Sequence, residues 1–248
     1  MAANYYIRNL KMRNMIRKCL LLLIALFALQ LSEAQTDSSK FEAKLWLGGG
    51  YNMTDLLHGY ISGTALWHTN EHFDLRGGLR WRSAKMLSPE MVATVKFPLG
   101  PGNLLLENMY IYQAWMSYNM QEFNSVLTIG YATPRWRLQL GVFNKFYSNI
   151  HTPSKSKDYI LEPLNFAYNA EVWLRKMEKK FNAGVKLCNV EDFVAERFYS
   201  PIITLMLDYK IRDNWVVDFA IRNHETGIFD LTKSFYERTF ELGTKLIW

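Results

Sequence analysis

Apolar and polar residues alternate along most of this chain, and that alternation limits its fold more than any other feature. Phe73, Leu75, Gly77, Leu79 and Trp81 share one parity, while Asp74, Arg76, Gly78, Arg80 and Arg82 share the other. Trp136, Leu138, Leu140 and Val142 oppose Arg137, Gln139 and Gly141. Trp215, Val217, Phe219 and Ile221 oppose Asp218, Ala220, Arg222 and His224. A period of two is that of a β-strand with unlike faces. The clearest apolar run, Cys19–Leu29, falls short of the roughly 18–20 residues a membrane-spanning helix needs.

The pattern predicts a closed antiparallel barrel of about twelve strands, at 41–51, 59–68, 73–82, 91–97, 104–117, 123–132, 136–146, 164–175, 180–190, 199–211, 214–224 and 234–248. The fifth is apolar on both faces in places, so its register stays open. Connections after even-numbered strands are short. Those after odd-numbered strands are mostly longer: Asn52–His58, Ser83–Glu90, Tyr147–Pro163, Glu191–Phe198 and Glu225–Lys233. Short turns on one rim and long loops on the other are the pattern of outer-membrane barrels.

The first 34 residues read as a cleaved secretory signal. Arg8, Lys11, Arg13, Arg17 and Lys18 precede the apolar run, and Ser32-Glu33-Ala34 fits a small-x-small cleavage site. Residues 35–248 then form a single barrel domain. Of the 29 basic and 23 acidic residues, five and one fall within 1–34, which leaves a net charge of +2. The chain's basic character thus belongs largely to the leader and implies no nucleic-acid partner. Of the two cysteines, only Cys188 lies beyond the leader, so the remaining chain cannot form an internal disulfide.

Alternation alone is equally compatible with a soluble barrel whose apolar face turns inward. Aromatics at the strand ends favour lipid. Phe41, Phe73, Tyr131, Trp136, Phe181, Tyr209, Trp215 and Trp248 fall near the rim of short turns. Tyr51, Trp81, Phe123, Phe166, Tyr199 and Tyr236 fall near the other rim, so two interfacial girdles are expected. The polar parity is densely charged, which in a closed membrane barrel must face the lumen. In the last strand, Phe240, Leu242, Leu246 and Trp248 share one face. A final strand ending in an aromatic resembles the C-terminal signal that the outer-membrane assembly machinery reads. With the Ala34-Gln35 junction, the chain resembles outer-membrane proteins of Bacteroidota in general style. That resemblance implies an integral Gram-negative outer-membrane location, in contact with lipid and lipopolysaccharide.

The chemistry on offer is a charged lumen. Arg76, Arg80 and Arg82 form a ladder on one face, with Asp74 beside it; Arg222 and Asp218 add to the wall. Rings of arginine favour anions, so these six residues are the candidate selectivity element of a narrow passive channel for small anionic solutes. The alternative is a lumen plugged by ion pairs, in a barrel serving as an accessory or structural subunit beside other envelope proteins. A lipid-acting enzyme is the third class. The histidines His58, His68, His72, His151 and His224 show no recognisable spacing with a serine and an acid, so no catalytic residue, metal or cofactor is assigned. Gly48-Gly49-Gly50 suggests a bend or bulge. The longest connection, Tyr147–Pro163, carries Lys155 and Lys157. It is the candidate to fold into the lumen, to meet lipopolysaccharide phosphates or to contact a partner.

Overall fold

A computed structural model describes residues 40–52, 57–83, 86–115, 119–149, 159–175, 180–226 and 234–248. The expected signal, His151, Lys155 and Lys157 lie outside the described residues. The described residues form fourteen strands: β1 (Lys40–Asn52), β2 (His58–Asn70), β3 (Phe73–Arg82), β4 (Met86–Leu99), β5 (Gly102–Trp115), β6 (Met120–Ala132), β7 (Trp136–Asn149), β8 (Tyr159–Arg175), β9 (Phe181–Cys188), β10 (Val190–Glu191), β11 (Val194–Ala195), β12 (Ile202–Arg212), β13 (Trp215–Thr226) and β14 (Ser234–Ile247). Twelve close into one antiparallel barrel in chain order, with β9 beside β12 and β14 sealing against β1. β10 and β11 pair only with each other. Alternation predicts a closed antiparallel barrel of about twelve strands, and twelve are observed.

Alternation also gives the faces. Leu45, Leu47, Leu79, Trp81, Leu127, Leu140, Phe240 and Leu242 point outward and are 45–59% exposed. Arg80, Asp218, Arg222, Glu237 and Glu241 point inward and are buried. An apolar exterior around a charged interior inverts the soluble arrangement and suits a hydrocarbon solvent. Closure removes the sheet edge that lipid could not satisfy. No helix among the described residues is long and apolar enough to cross a membrane.

Several local expectations change. β4 starts at Met86 instead of residue 91, so Ser88-Pro89 lies inside a strand. Both residues pair with β3, but the β4–β5 ladder runs from Leu87↔Ala114 to Glu90↔Ile111 and skips them. Proline has no N–H to give a second neighbour, which fits that gap. β8 likewise runs through Pro163, where the β7 register shifts between Phe143 and Lys145 and Leu164 takes a positive φ. Tyr199 precedes β12 instead of lying in it. Phe73, expected at a girdle, is buried. The glycine triplet makes no bulge, since β1 keeps its register against both neighbours. Gly48 instead makes room inside: a Cβ there would lie 2.2 Å from the Tyr60 ring.

Candidate functional site: the filled lumen

The lumen is filled by a segment read from sequence as an ordinary surface connection. β9 has eight residues, whereas its neighbour β8 has 17. Beyond Cys188 the upper part of β8 therefore has no strand on that side. Asn189 takes the place of one. Its backbone N–H donates to the Tyr168 carbonyl (3.2 Å), and its Oδ1 accepts from the Tyr168 N–H (2.8 Å). Its Nδ2 donates to the carbonyls of Phe166 (2.7 Å) and Glu196 (3.0 Å). From this anchor the chain turns inward as the β10–β11 hairpin, with Val190 opposite Ala195 and Glu191 opposite Val194. The turn is Asp192-Phe193, and Phe193 is fully buried at φ 66°. A non-glycine residue in the left-handed region costs roughly 1–2 kcal/mol, so the surroundings must hold it there. They do. The Phe193 N–H donates to Glu90 Oε2 (2.7 Å), and its carbonyl accepts from Gln113 Nε2 (2.5 Å). Gly78 opens the space for its ring, since a Cβ there would lie 2.8 Å from the ring edge.

One wall of the lumen grips the hairpin through apolar contact. Val92 of β4, Met109 and Ile111 of β5, Val126 of β6, Phe143 of β7 and Ala167 of β8 form a buried cluster with Val190 and Ala195. This resolves the two-sided apolarity of β5. Leu105, Met109 and Ile111 face the interior, while Leu106 faces outward.

The opposite wall grips it through charge, and here the sequence-predicted residues appear. Arg76 bridges Asp192 at the hairpin tip (2.7 Å) and Glu90 (3.4 Å). The Arg80 guanidinium lies between the rings of Tyr60 and Phe193, at 4.6 and 4.7 Å from their centroids. It also reaches Ser62 (2.9 Å) and Glu241 (3.4 Å). Arg82 pairs with Glu237 (2.8 Å). Arg222 joins Glu191 of the hairpin (3.1 Å) to Glu241 of β14 (2.6 Å). Lys186 also reaches Glu191 (3.3 Å). Although burial alone raises them, Arg222 and Lys186 hold the Glu191 carboxyl below its usual range; Arg76, Lys186 and Arg222 do the same for Asp192. The hairpin acids are thus charged where they meet the wall.

Asp74 and Asp218 stand apart from this cluster, toward the rim of short turns. Asp74 pairs with Lys96 (2.7 Å) and His68 (2.8 Å), and Asp218 with Lys44 (2.8 Å). All six candidate residues therefore face the lumen, and each has an ionic partner. The structure brings Arg76, Arg80 and Arg222 together at the hairpin. Sequence reasoning missed Asn189, Phe193, Glu90 and Gln113; Glu237 and Glu241 fall on the inward polar parity of the last strand, but spacing does not show that they pair with Arg82 and Arg80. It also looked to Tyr147–Pro163 as a loop that could fold into the lumen; residues 150–158 of that connection lie outside the described residues, and among the described residues the segment that enters the lumen follows Cys188.

Two cavities flank the hairpin. One, of about 60 Å³, lies against β10 and is reached by Glu107, Arg137 and Lys186. The other, of about 100 Å³, lies against β11 toward the rim of long loops, beside Arg82 and Trp115. With a water's share of the liquid at about 30 Å³, each has room for a few waters. Outside, Phe240, Leu242, Leu246 and Trp248 all face outward and are 43–62% exposed. The Trp248 ring meets Phe41 of β1 across the closing seam, at 5.1 Å between centroids.

No protein-family model matches the sequence, and no curated protein matches it. Solved structures do match in fold. The KdgM porin superposes with a TM-score of 0.51 at 10% identity, over 83% of this chain and 98% of its own. The NanC porin superposes with a TM-score of 0.52 at 8% identity, over 82% and 98%. At such identities the likeness is one of fold: a transmembrane barrel of the bacterial outer-membrane type.

Proposed function

We propose that the protein is an integral outer-membrane barrel carrying a narrow channel for small solutes, held shut by the β10–β11 hairpin. The leader is cleaved on export, and the long-loop rim faces outside the cell. One observation carries the reading: the hairpin is fitted into the lumen and gripped by both walls, with its tip hydrogen-bonded at both backbone groups of Phe193. The two solved porins of similar fold support a channel scaffold. The second reading is a permanently plugged barrel that acts as a structural or accessory subunit; the complete ion pairing of the six candidate residues favours it.

Planar-bilayer recording separates the readings. The refolded protein is compared with a variant in which residues 189–200 are replaced by a short Gly-Ser linker. The native barrel is expected to be silent or to show rare brief steps, and the variant to show stable ones. Loss of Glu191 and Asp192 leaves Arg76, Lys186 and Arg222 in excess, so the opened lumen is expected to prefer anions. Steady conductance of the native barrel equal to the variant's would show that the hairpin shuts nothing. A silent but folded variant would favour the structural reading.

A further inference from the structure

The cavity between β11 and the long-loop rim has more hydrogen-bond donors than acceptors. Arg80 and Arg82 reach it from β3 and Arg222 from β13, beside Tyr60, Trp115 and Thr239. The nearby carboxylates are already engaged. Oε1 of Glu241 takes hydrogen bonds from the Tyr60 hydroxyl, Arg80 Nη2 and Arg222 Nη1. Oε1 of Glu237 takes one from Arg82 Nη2 and lies 2.7 Å from His58 Nε2. Each guanidinium carries five N–H donors, so these bonds leave several over. Arg82 Nε, His224 Nδ1 and Thr239 Oγ1 are buried with no hydrogen-bond partner among the described residues. His224 and Thr239 are themselves 7% and 4% exposed. Buried polar groups are ordinarily satisfied by protein, water or ligand. The three orphaned groups belong to residues that line one cavity. Arg82 Nε and the Thr239 hydroxyl can each donate to an acceptor there, as can His224 in the tautomer that carries its proton on Nδ1.

Charge points the same way. Three arginines stand against Glu237 and Glu241, with Glu191 behind Arg222 and shared with Lys186. Glu196 also lines the cavity, but burial, with Glu122 and Glu237 adding to it and Lys145 and Arg197 opposing, pushes its carboxyl up to about 7. Below neutral pH the lining therefore keeps an excess of positive charge. The volume, about 100 Å³, suits a carboxylate or phosphate group and excludes a bulky head.

We propose that this cavity binds a compact oxyanion, the carboxylate or phosphate group of a small solute entering from the long-loop rim. The oxygens sit between Arg82, Thr239 and His224, with Arg80 and Arg222 supplying field from behind. This site lies in the closed barrel, so it stands or falls independently of whether the hairpin ever leaves.

The test is calorimetric titration of the refolded native protein with sodium acetate and with sodium phosphate, at constant ionic strength and about pH 6. Saturable one-site binding of either anion is expected; the one bound more tightly tells whether the site takes carboxylates or phosphates. Thr239→Val keeps the shape and every ion pair, and is expected to weaken binding about two- to tenfold through one lost hydrogen bond. Arg82→Gln is expected to weaken it about tenfold or more. Should Arg82→Gln not fold, Thr239→Val still decides. No saturable heat with either anion, or binding that Thr239→Val leaves unchanged, would overturn the site. Neither result bears on the conductance comparison, which turns on the hairpin alone.

Discussion

The two walls that hold the hairpin are made of different chemistry. On β4–β8 its flanks meet Val92, Met109, Ile111, Val126, Phe143 and Ala167, which offer shape and no directional bond; only at the tip do Glu90 of β4 and Gln113 of β5 hydrogen-bond the Phe193 backbone. On β1–β3 and β13 it meets Arg76, Arg80 and Arg222, each with more than one polar partner, and its Phe193 ring packs with Trp46 and Tyr60. Apolar burial is non-directional and scales with area. Charge-assisted hydrogen bonds are directional and geometrically demanding. The apolar cluster therefore supplies adhesion, while the directional bonds from Arg76 and Arg222, with those of Glu90 and Gln113 at the tip, set where the hairpin stops. A hairpin held by the first alone could slide; one held by the second alone would give up little on leaving.

The largest expected effect comes from breaking the charged wall at the residue that ties hairpin to barrel. Arg222→Gln leaves Glu191 and Glu241 facing each other with the bridging cation gone. Removing one partner of a buried ion pair costs about 3–5 kcal/mol. The hairpin, not the barrel, has freedom to move away. Proteolysis within residues 189–200 is expected to become much faster than in the native protein, while strand content by circular dichroism holds. Cleavage as slow as native would mean that Lys186, which also reaches Glu191 (3.3 Å), suffices by itself.

Ile111→Ala attacks the other wall at a residue with no exposed surface. A buried isoleucine cut to alanine costs about 2–5 kcal/mol, so accelerated cleavage of the hairpin is again expected. The two substitutions differ in their response to acid. The Ile111 effect should be the same at about pH 7 and about pH 4, whereas the Arg222 effect should shrink as acid protonates the stranded carboxylates. Equal pH dependence would erase the distinction between the walls.

How far the sequence reached follows the same division. Face assignment is local: parity along one strand places Arg76, Arg80 and Arg82 together, and all three do face the lumen. Partnership inside a barrel is not local. Arg80 and Glu241 lie 161 residues apart, Arg82 and Glu237 155, and Glu90 and Phe193 103. No spacing rule links such pairs, so the ladder could be read either as the free charge of a pore or as part of an ion-paired plug, with no partner named beyond Asp74. The hairpin was hidden for another reason. Connections normally run over the surface, and Glu191–Phe198 sits where a long loop is expected. Two signals pointed inward. Val190, Phe193, Val194 and Ala195 are too apolar for a solvated loop, and β5 carries apolar residues on both faces. A strand apolar on both sides needs something to cover the second side, and here that cover is the hairpin.

The smallest expected effect concerns a group at the hairpin's base that belongs to neither wall. Glu196 follows β11, and its N–H donates to the Asn189 carbonyl at 2.7 Å. Its side chain faces Lys145 and Arg197 but also Glu122 and Glu237, and burial among them raises its carboxyl to about 7 in the docked hairpin. Released into water, it would titrate at about 4.3. The docked state therefore holds the extra proton. Docking is strongest below about pH 4.3 and weakens as pH rises toward 7, beyond which the loss is complete. Glu191 and Asp192 act oppositely, because their carboxyls are held low when docked. Their contribution is present above about pH 4 and is lost only in stronger acid. Between these limits the native hairpin should open more readily at about pH 8 than at about pH 5, read as proteolysis rate or channel open time. Glu196→Gln should flatten that profile and leave the Arg222 and Ile111 effects as they were. A profile that stays steep in Glu196→Gln would place the titrating group elsewhere in the lumen.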